Sequence, residues 1–177
     1  KNDGTVWAWG NNYYYGQLGD GTTNDSATPV QVSGLTEVTA VAGGFVHSLA
    51  LKNDGTVWAW GYNRFGQLGD GTKNQSNIPV QVLGLTGATA IAGGGDYSLA
   101  LKNDGTVWAW GSDGITNGSA TPVQVLGLTG ITAIAGGGWR HSLALKNDGT
   151  VWAWGWNAQG QLGDGTTDYS SATPVQV

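Results

Sequence analysis

Two histidines each stand directly before a serine, His47 with Ser48 and His141 with Ser142, and such a pair could supply a base and a nucleophile. Neighbours in an extended strand point to opposite sides, so the pairs read as strand-end hydrogen-bonding residues and not as dyads. The repeated Leu-Gly-Asp-Gly-Thr segment offers Asp20, Asp70 and Asp164 as candidate calcium ligands. Each loop brings only one or two carboxylates, without the alternating order of a calcium loop, which favours an Asp-Gly turn. The chain has no Cys, which excludes disulfides, thiolate metal sites and Cys nucleophiles. Asn24, Asn74 and Asn117 open glycosylation-type triplets. Glycine-rich strings lack a following helix and so cannot cradle a pyrophosphate. No set of acid, base and nucleophile stands out, so the expectation is a protein that is not an enzyme and uses no cofactor or metal.

The elements that would position these residues follow from composition and repeats. Thirty-two of 177 residues are Gly and ten are Trp, while 40% are hydrophobic. That mixture needs many tight turns, is too apolar for a disordered chain, and points to an all-β fold. Net charge −5, with no Lys/Arg cluster, argues against binding to nucleic-acid phosphates or anionic lipid. No window approaches the roughly 20 apolar residues of a membrane span.

The decapeptide KNDGTVWAWG occurs four times, beginning at Lys1, Lys52, Lys102 and Lys146. A period near 50 residues marks a solenoid or propeller. Each copy runs on to PVQV, and three are followed by GLT, a TA-Val/Ile-AGG run and SLAL. One unit therefore reads as four short strands, over Val38 to Ala42, Ser48 to Leu51, Gly55 to Trp60 and Val80 to Val82. Lys-Asn-Asp-Gly forms the hairpin turn between the second and third, with Asn, Asp and Gly tolerating positive φ. Apolar residues occupy both faces of the third strand, so packed sheets should flank it, and its two Trp per unit are expected to bury roughly 200 Å² each. The Gly43-Gly44 pair and its counterparts suit crowded backbones near an axis.

Strand order places the first–second and third–fourth connections on one side of the blades. Differences between units concentrate there, at 11–15, 62–65, 112–118, 156–159, 23–28, 73–78, 167–173, 45–47, 95–97 and 138–141. A scaffold with diverse loops on one rim is the arrangement of a binding surface. The candidate contact residues are Tyr13, Tyr14, Tyr15, Phe45, Tyr62, Phe65, Tyr97, Trp139, Trp156 and Tyr169, aromatic types that give contact area at small entropic cost, with Arg64 and Arg140 beside them.

GTVWAWGYNRFGQLGDGT, followed by PVQV, TAIAGG and SLAL, resembles the regulator of chromosome condensation repeat, of the bacterial type, over the whole chain. The third unit departs from the pattern, running from Gly111 through SDGITNGSAT with no GQLGDGT. The resemblance implies a β-propeller of four-stranded antiparallel blades, usually seven in a ring. Some three and a half blades would lie in this chain: a half blade at 1–32, blades at 33–82 and 126–177, and a blade with a shortened loop at 83–125. It also implies action by protein binding, through members that include an exchange factor for a small GTPase, a secreted inhibitor of β-lactamase and bacterial surface arrays. The expectation is a protein-interaction scaffold, secreted or on a bacterial surface. The alternatives are a carbohydrate-binding module, a structural repeat of an extracellular fibre, or a half-propeller completed by further repeats or a second copy of the chain. Two copies hold 28 strands, half of them in this chain, but eight third–fourth pairs against six first–second pairs.

Overall fold

The structure is a computed structural model, and it describes Lys1, residues 3–113 and residues 118–177. Fourteen strands and no helix occur among them: β1 (Trp7–Gly10), β2 (Ser26–Gln31), β3 (Val38–Gly43), β4 (His47–Lys52), β5 (Val57–Gly61), β6 (Ser76–Gln81), β7 (Ala88–Gly93), β8 (Tyr97–Lys102), β9 (Val107–Gly111), β10 (Ser119–Gln124), β11 (Ile131–Gly136), β12 (His141–Lys146), β13 (Val151–Trp156) and β14 (Ser170–Gln176). They form one two-stranded sheet, β1-β2, and three four-stranded antiparallel sheets, β3-β4-β5-β6, β7-β8-β9-β10 and β11-β12-β13-β14. This is the expected blade pattern, about three and a half blades of a β-propeller.

The Lys-Asn-Asp-Gly hairpins close as expected, but by a different backbone. Only the glycine takes positive φ, as at Gly55 (+77°), and Lys52 and Thr56 bracket the turn through Lys52 N–H donating to Thr56 O. The geometry is a turn followed by a left-handed glycine bulge. Asp54 Oδ1 accepts from Thr56 N–H (2.9 Å) and Thr56 Oγ1 (2.6 Å), and Thr56 Oγ1 accepts from Trp58 Nε1 (3.3 Å). The same relay recurs at Asp3-Thr5-Trp7, Asp104-Thr106-Trp108 and Asp148-Thr150-Trp152. Thr bonding holds all four exposed carboxylates below the usual range. Strand β6 begins four residues before its expected start at Val80. It is an outer edge strand, so Pro79 removes no ladder donor, and a bulge between the Ala59 and Gly61 pairings absorbs the extra length.

Three apolar clusters lie between successive blades and not within them. Val6 and Val32 of the first blade, with Leu35 of the connection that follows, meet Ala50 and Trp60 of the second, and equivalent clusters bring Ala100 with Trp110, and Ala144 with Trp154, onto the blade before. Of the two Trp expected to be buried in each unit, Trp60, Trp110 and Trp154 are fully buried, whereas Trp58, Trp108 and Trp152 are half-buried. Trp9 is 63% exposed, because no blade packs on its outer side. The double glycines mark the axis. A Cβ on Gly93 would stand 2.6 Å from Gly43 O of the preceding blade, and one on Gly136 would strike Gly93 O. Gly43, with no inner strand before it, would meet nothing.

Candidate binding face

The β3–β4 and β5–β6 connections, and their equivalents, leave the blades on one side, and the invariant hairpins leave on the other. Each long loop on the side of the variable connections is built around a buried asparagine. Asn63 Oδ1 accepts from Leu68 N–H (2.9 Å), and its Nδ2 donates to Asn74 O (2.9 Å), Thr72 O (3.2 Å) and Asp70 Oδ1 (3.2 Å). Asn12 and Asn157 repeat the pattern. The three asparagines lie within the variable stretches 11–15, 62–65 and 156–159, yet Asn stands two residues after three of the four Trp-Gly pairs, with Asp113 after the fourth, and that recurrence is the signal that could have separated them. Asp20, Asp70 and Asp164, the calcium candidates, each accept from the Thr two residues on through its N–H and Oγ1. Their oxygens serve the Asp-Gly turn. No group of three or more acidic or His side chains gathers as a metal site among the described residues.

The loop motif also fastens blade to blade. Gln17 O accepts from Ser48 Oγ (2.9 Å) and Trp60 Nε1 (2.9 Å), and Gln67 O accepts from Ser98 Oγ (2.8 Å) and Trp110 Nε1 (2.9 Å). The third unit has no GQLGDGT, and Trp154 Nε1, buried, has no hydrogen-bond partner among the described residues. Its shortened connection includes 114–117, and these residues, Asn117 of the glycosylation-type triplet among them, lie outside the described residues, as does Asn2.

His47 belongs to the same seam. It is buried, with Nε2 2.9 Å from Ser98 Oγ. The single Ser98 hydroxyl proton goes to Gln67 O, so His47 Nε2 carries the proton and donates, leaving Nδ1 bare and unpartnered. Burial pulls the imidazole down to about 4, against a small upward pull from the Tyr97 carbonyl. This hydrogen-bonding role is the one expected from strand position. Tyr97, expected on the loop surface, corrects that expectation: it is fully buried, because it stands where His47 and His141 stand in the neighbouring blades. Its hydroxyl donates to His141 O and accepts from Ser142 Oγ (3.2 Å) and Gly137 N–H (3.0 Å), and burial pushes it up to about 12.

The other candidates fall into two groups. Tyr13, Tyr14, Tyr15, Tyr62 and Phe65 form a continuous file of ring contacts with centroids 4.6–6.3 Å apart, running from the first blade to the second. Tyr13 and Tyr14 are exposed, Tyr15, Tyr62 and Phe65 are half-buried, and Arg64 projects into solvent beside them. Phe45, Trp139, Arg140, Trp156 and Tyr169 gather instead around one cavity of about 480 Å³, whose wall also includes Gly95, Asp96 and Gly138. Trp139 and Phe45 are 84% and 82% exposed, while Trp156 stacks edge-on against Tyr169 at 4.3 Å. Asp96 went unnoticed in the sequence, since nothing in its own repeat unit marks it. Partial burial raises its carboxyl above the usual range, opposed by the charge of Arg140.

Comparison with known proteins fits this construction. Two family models, each described as "Regulator of chromosome condensation (RCC1) repeat", match residues 3–51, 54–101 and 148–177, and residues 38–67, 88–118 and 131–161. The zebrafish (Danio rerio) protein RCC2 homolog is 42% identical over 64 residues, 35% of this chain and 13% of that protein. Human WBSCR16 superposes with a TM-score of 0.86 at 29% identity, over all of this chain and 49% of its own. Prp20p of Saccharomyces cerevisiae, described with binding properties to Gsp1p and histones, gives 0.84 at 24% identity over 98% of this chain and 46% of its own. The chain thus spans about half the length of these solved propellers and a smaller share of the curated relative. With the family models covering well over half of its residues, the chain belongs to the regulator of chromosome condensation (RCC1) repeat family.

Proposed function

We propose that this chain is a non-catalytic protein-interaction scaffold that engages its partner through the loop face. One observation carries the reading: the exposed aromatic side chains of the variable loops collect into two groups on a single side of stacked sheets. Aromatics mounted on rigid elements give binding energy at small ordering cost. The binding of Prp20p to Gsp1p and histones is consistent with this mode of action. Affinity capture tests it. Replacing Tyr13 to Tyr15 and Trp139 by Ser should abolish recovery of the partner while leaving the melting transition in place, and undiminished recovery contradicts the reading. The reading keeps the expectation of a secreted or surface-displayed bacterial protein, which fractionation of the source cells tests.

Two other observations favour two other readings. Exposed Trp139 and Tyr169 around a polar-edged cavity would also stack on sugars, and a glycan array without hits removes that reading. Among the described residues, strand β1 pairs only with β2, and a groove of about 380 Å³ beside it is lined by Trp7, Trp9, Val38 and Val41. That groove favours completion of the blade by strands of the same pattern, from further repeats or a second copy. Native mass spectrometry checks the second copy: a species at a multiple of 18.2 kDa supports it, and a monomer contradicts it.

A further inference from the structure

We propose that the cavity framed by Phe45, Asp96, Trp139, Trp156 and Tyr169 receives an organic cation, the ammonium or guanidinium end of a partner's Lys or Arg side chain. The inference rests on the protein-binding reading of the loop face and specifies what that face recognises.

Four aromatic side chains and one carboxylate make up most of the wall. Aromatic faces carry negative charge density and attract cations, most strongly where water is partly excluded. Asp96 adds a full charge, and no side-chain hydrogen bond or ion pair engages it among the described residues. Its partial burial raises the energy of the bare carboxylate, a cost that an entering cation would offset. The cavity volume of about 480 Å³ lies within the range of roughly 300–1,000 Å³ usual for ligand sites, ample for one long side chain.

Arg140, at the rim, is the native group that could fill this role. It is exposed and forms no ion pair with Asp96 within bonding distance, although its charge does act on that carboxylate. An incoming cation must therefore compete with it at longer range, and this predicts modest affinity for an isolated side chain. Elsewhere the same fold seats ammonium groups on indoles: Lys1, Lys102 and Lys146 Nζ lie 3.6, 5.5 and 5.6 Å from the ring centroids of Trp7, Trp108 and Trp152.

The wider field has the same sign. Seven of the twelve acidic residues lie in the loop-face connections against three of the seven basic ones, a net −4 out of the chain's −5. Such a face steers cationic partners toward the cavity and repels anionic ones.

The experiment titrates the ¹⁵N-labelled chain with acetyl-Gly-Lys-Gly-amide, and in parallel with the Glu analogue and with methyl glucoside, while the indole N–H resonances of Trp139 and Trp156 are followed. The Lys peptide should shift both indoles, and Asp96→Asn should weaken it about tenfold, the loss of one close charge partner. Arg140→Gln should leave it unchanged or bind it more tightly. Shifts from the Glu peptide that vanish in Arg140→Gln would identify an anion site and overturn the proposal, as would equal shifts from methyl glucoside or no shift from the Lys peptide. Partner capture on Asp96→Asn separates the two levels: full capture, with the Ser variants still defective, overturns the cation site alone and leaves the protein-binding face standing.

Discussion

At the level of single residues, the buried polar groups set how the protein responds to its solvent. His47 is neutral in the seam, with a folded value of about 4 against an ordinary 6.5. Between these values the unfolded chain binds the additional proton, so stability is full above pH 6.5 and falls as pH drops toward 4, by roughly 3 kcal/mol in all. Urea melts at pH 7.0 and 4.5 should show that decline, and His47→Tyr, which installs the side chain of position 97, should flatten it. Asp54 and its three repeats act in a lower window: their depressed values add stability above the ordinary carboxylate range that is lost as pH falls through the folded values. Asn63 organises its loop by bonds to four neighbours, and Asn63→Ala leaves the buried Leu68 N–H without its acceptor. The expected loss is about 2–3 kcal/mol in chemical denaturation.

At the level of elements, turns and close backbone approaches decide which substitutions are tolerated. Glu37 sits at φ +60°, where the other two complete units carry Gly87 and Gly130 at +70° and +67°. A side chain there is strained by about 1 kcal/mol, and its ion pair with Lys52 at 3.7 Å, half in solvent, offsets little. Glu37→Gly should therefore raise the unfolding free energy by up to about 1 kcal/mol despite the flexibility it adds to the unfolded chain. Gly93→Ala and Gly43→Ala form a matched pair. The first drives a Cβ into Gly43 O and should lower the melting temperature, while the second meets open space and should leave it within error. The hairpins and three of the four strands of a unit were legible in sequence, because turn residues and apolar runs are local signals. The fourth strand was placed too late, since Pro79 reads as a boundary until one knows that β6 is an edge.

At the level of the whole molecule, repetition made the blade architecture and the side of the variable loops legible, while contacts between units were not. Nothing in one unit shows that Gln67 O will receive Trp110 and Ser98, or that Tyr97 will be swallowed by the seam whereas Phe45 and Trp139, in the preceding loops of their blades, stay in solvent. The cavity is likewise assembled from different blades, so Asp96 could not be joined to Trp156 by reading along the chain. The central claim is that one rim of this repeat stack binds a protein partner. It is tested most directly by affinity capture from the source proteome with two variants of matched stability, Phe45→Ser with Trp139→Ser on the loop face, and Leu83→Ser with Leu126→Ser on the hairpin face, where both leucines are exposed. The first variant should lose the partner and the second should retain it. Retention by the first and loss by the second would contradict the central claim.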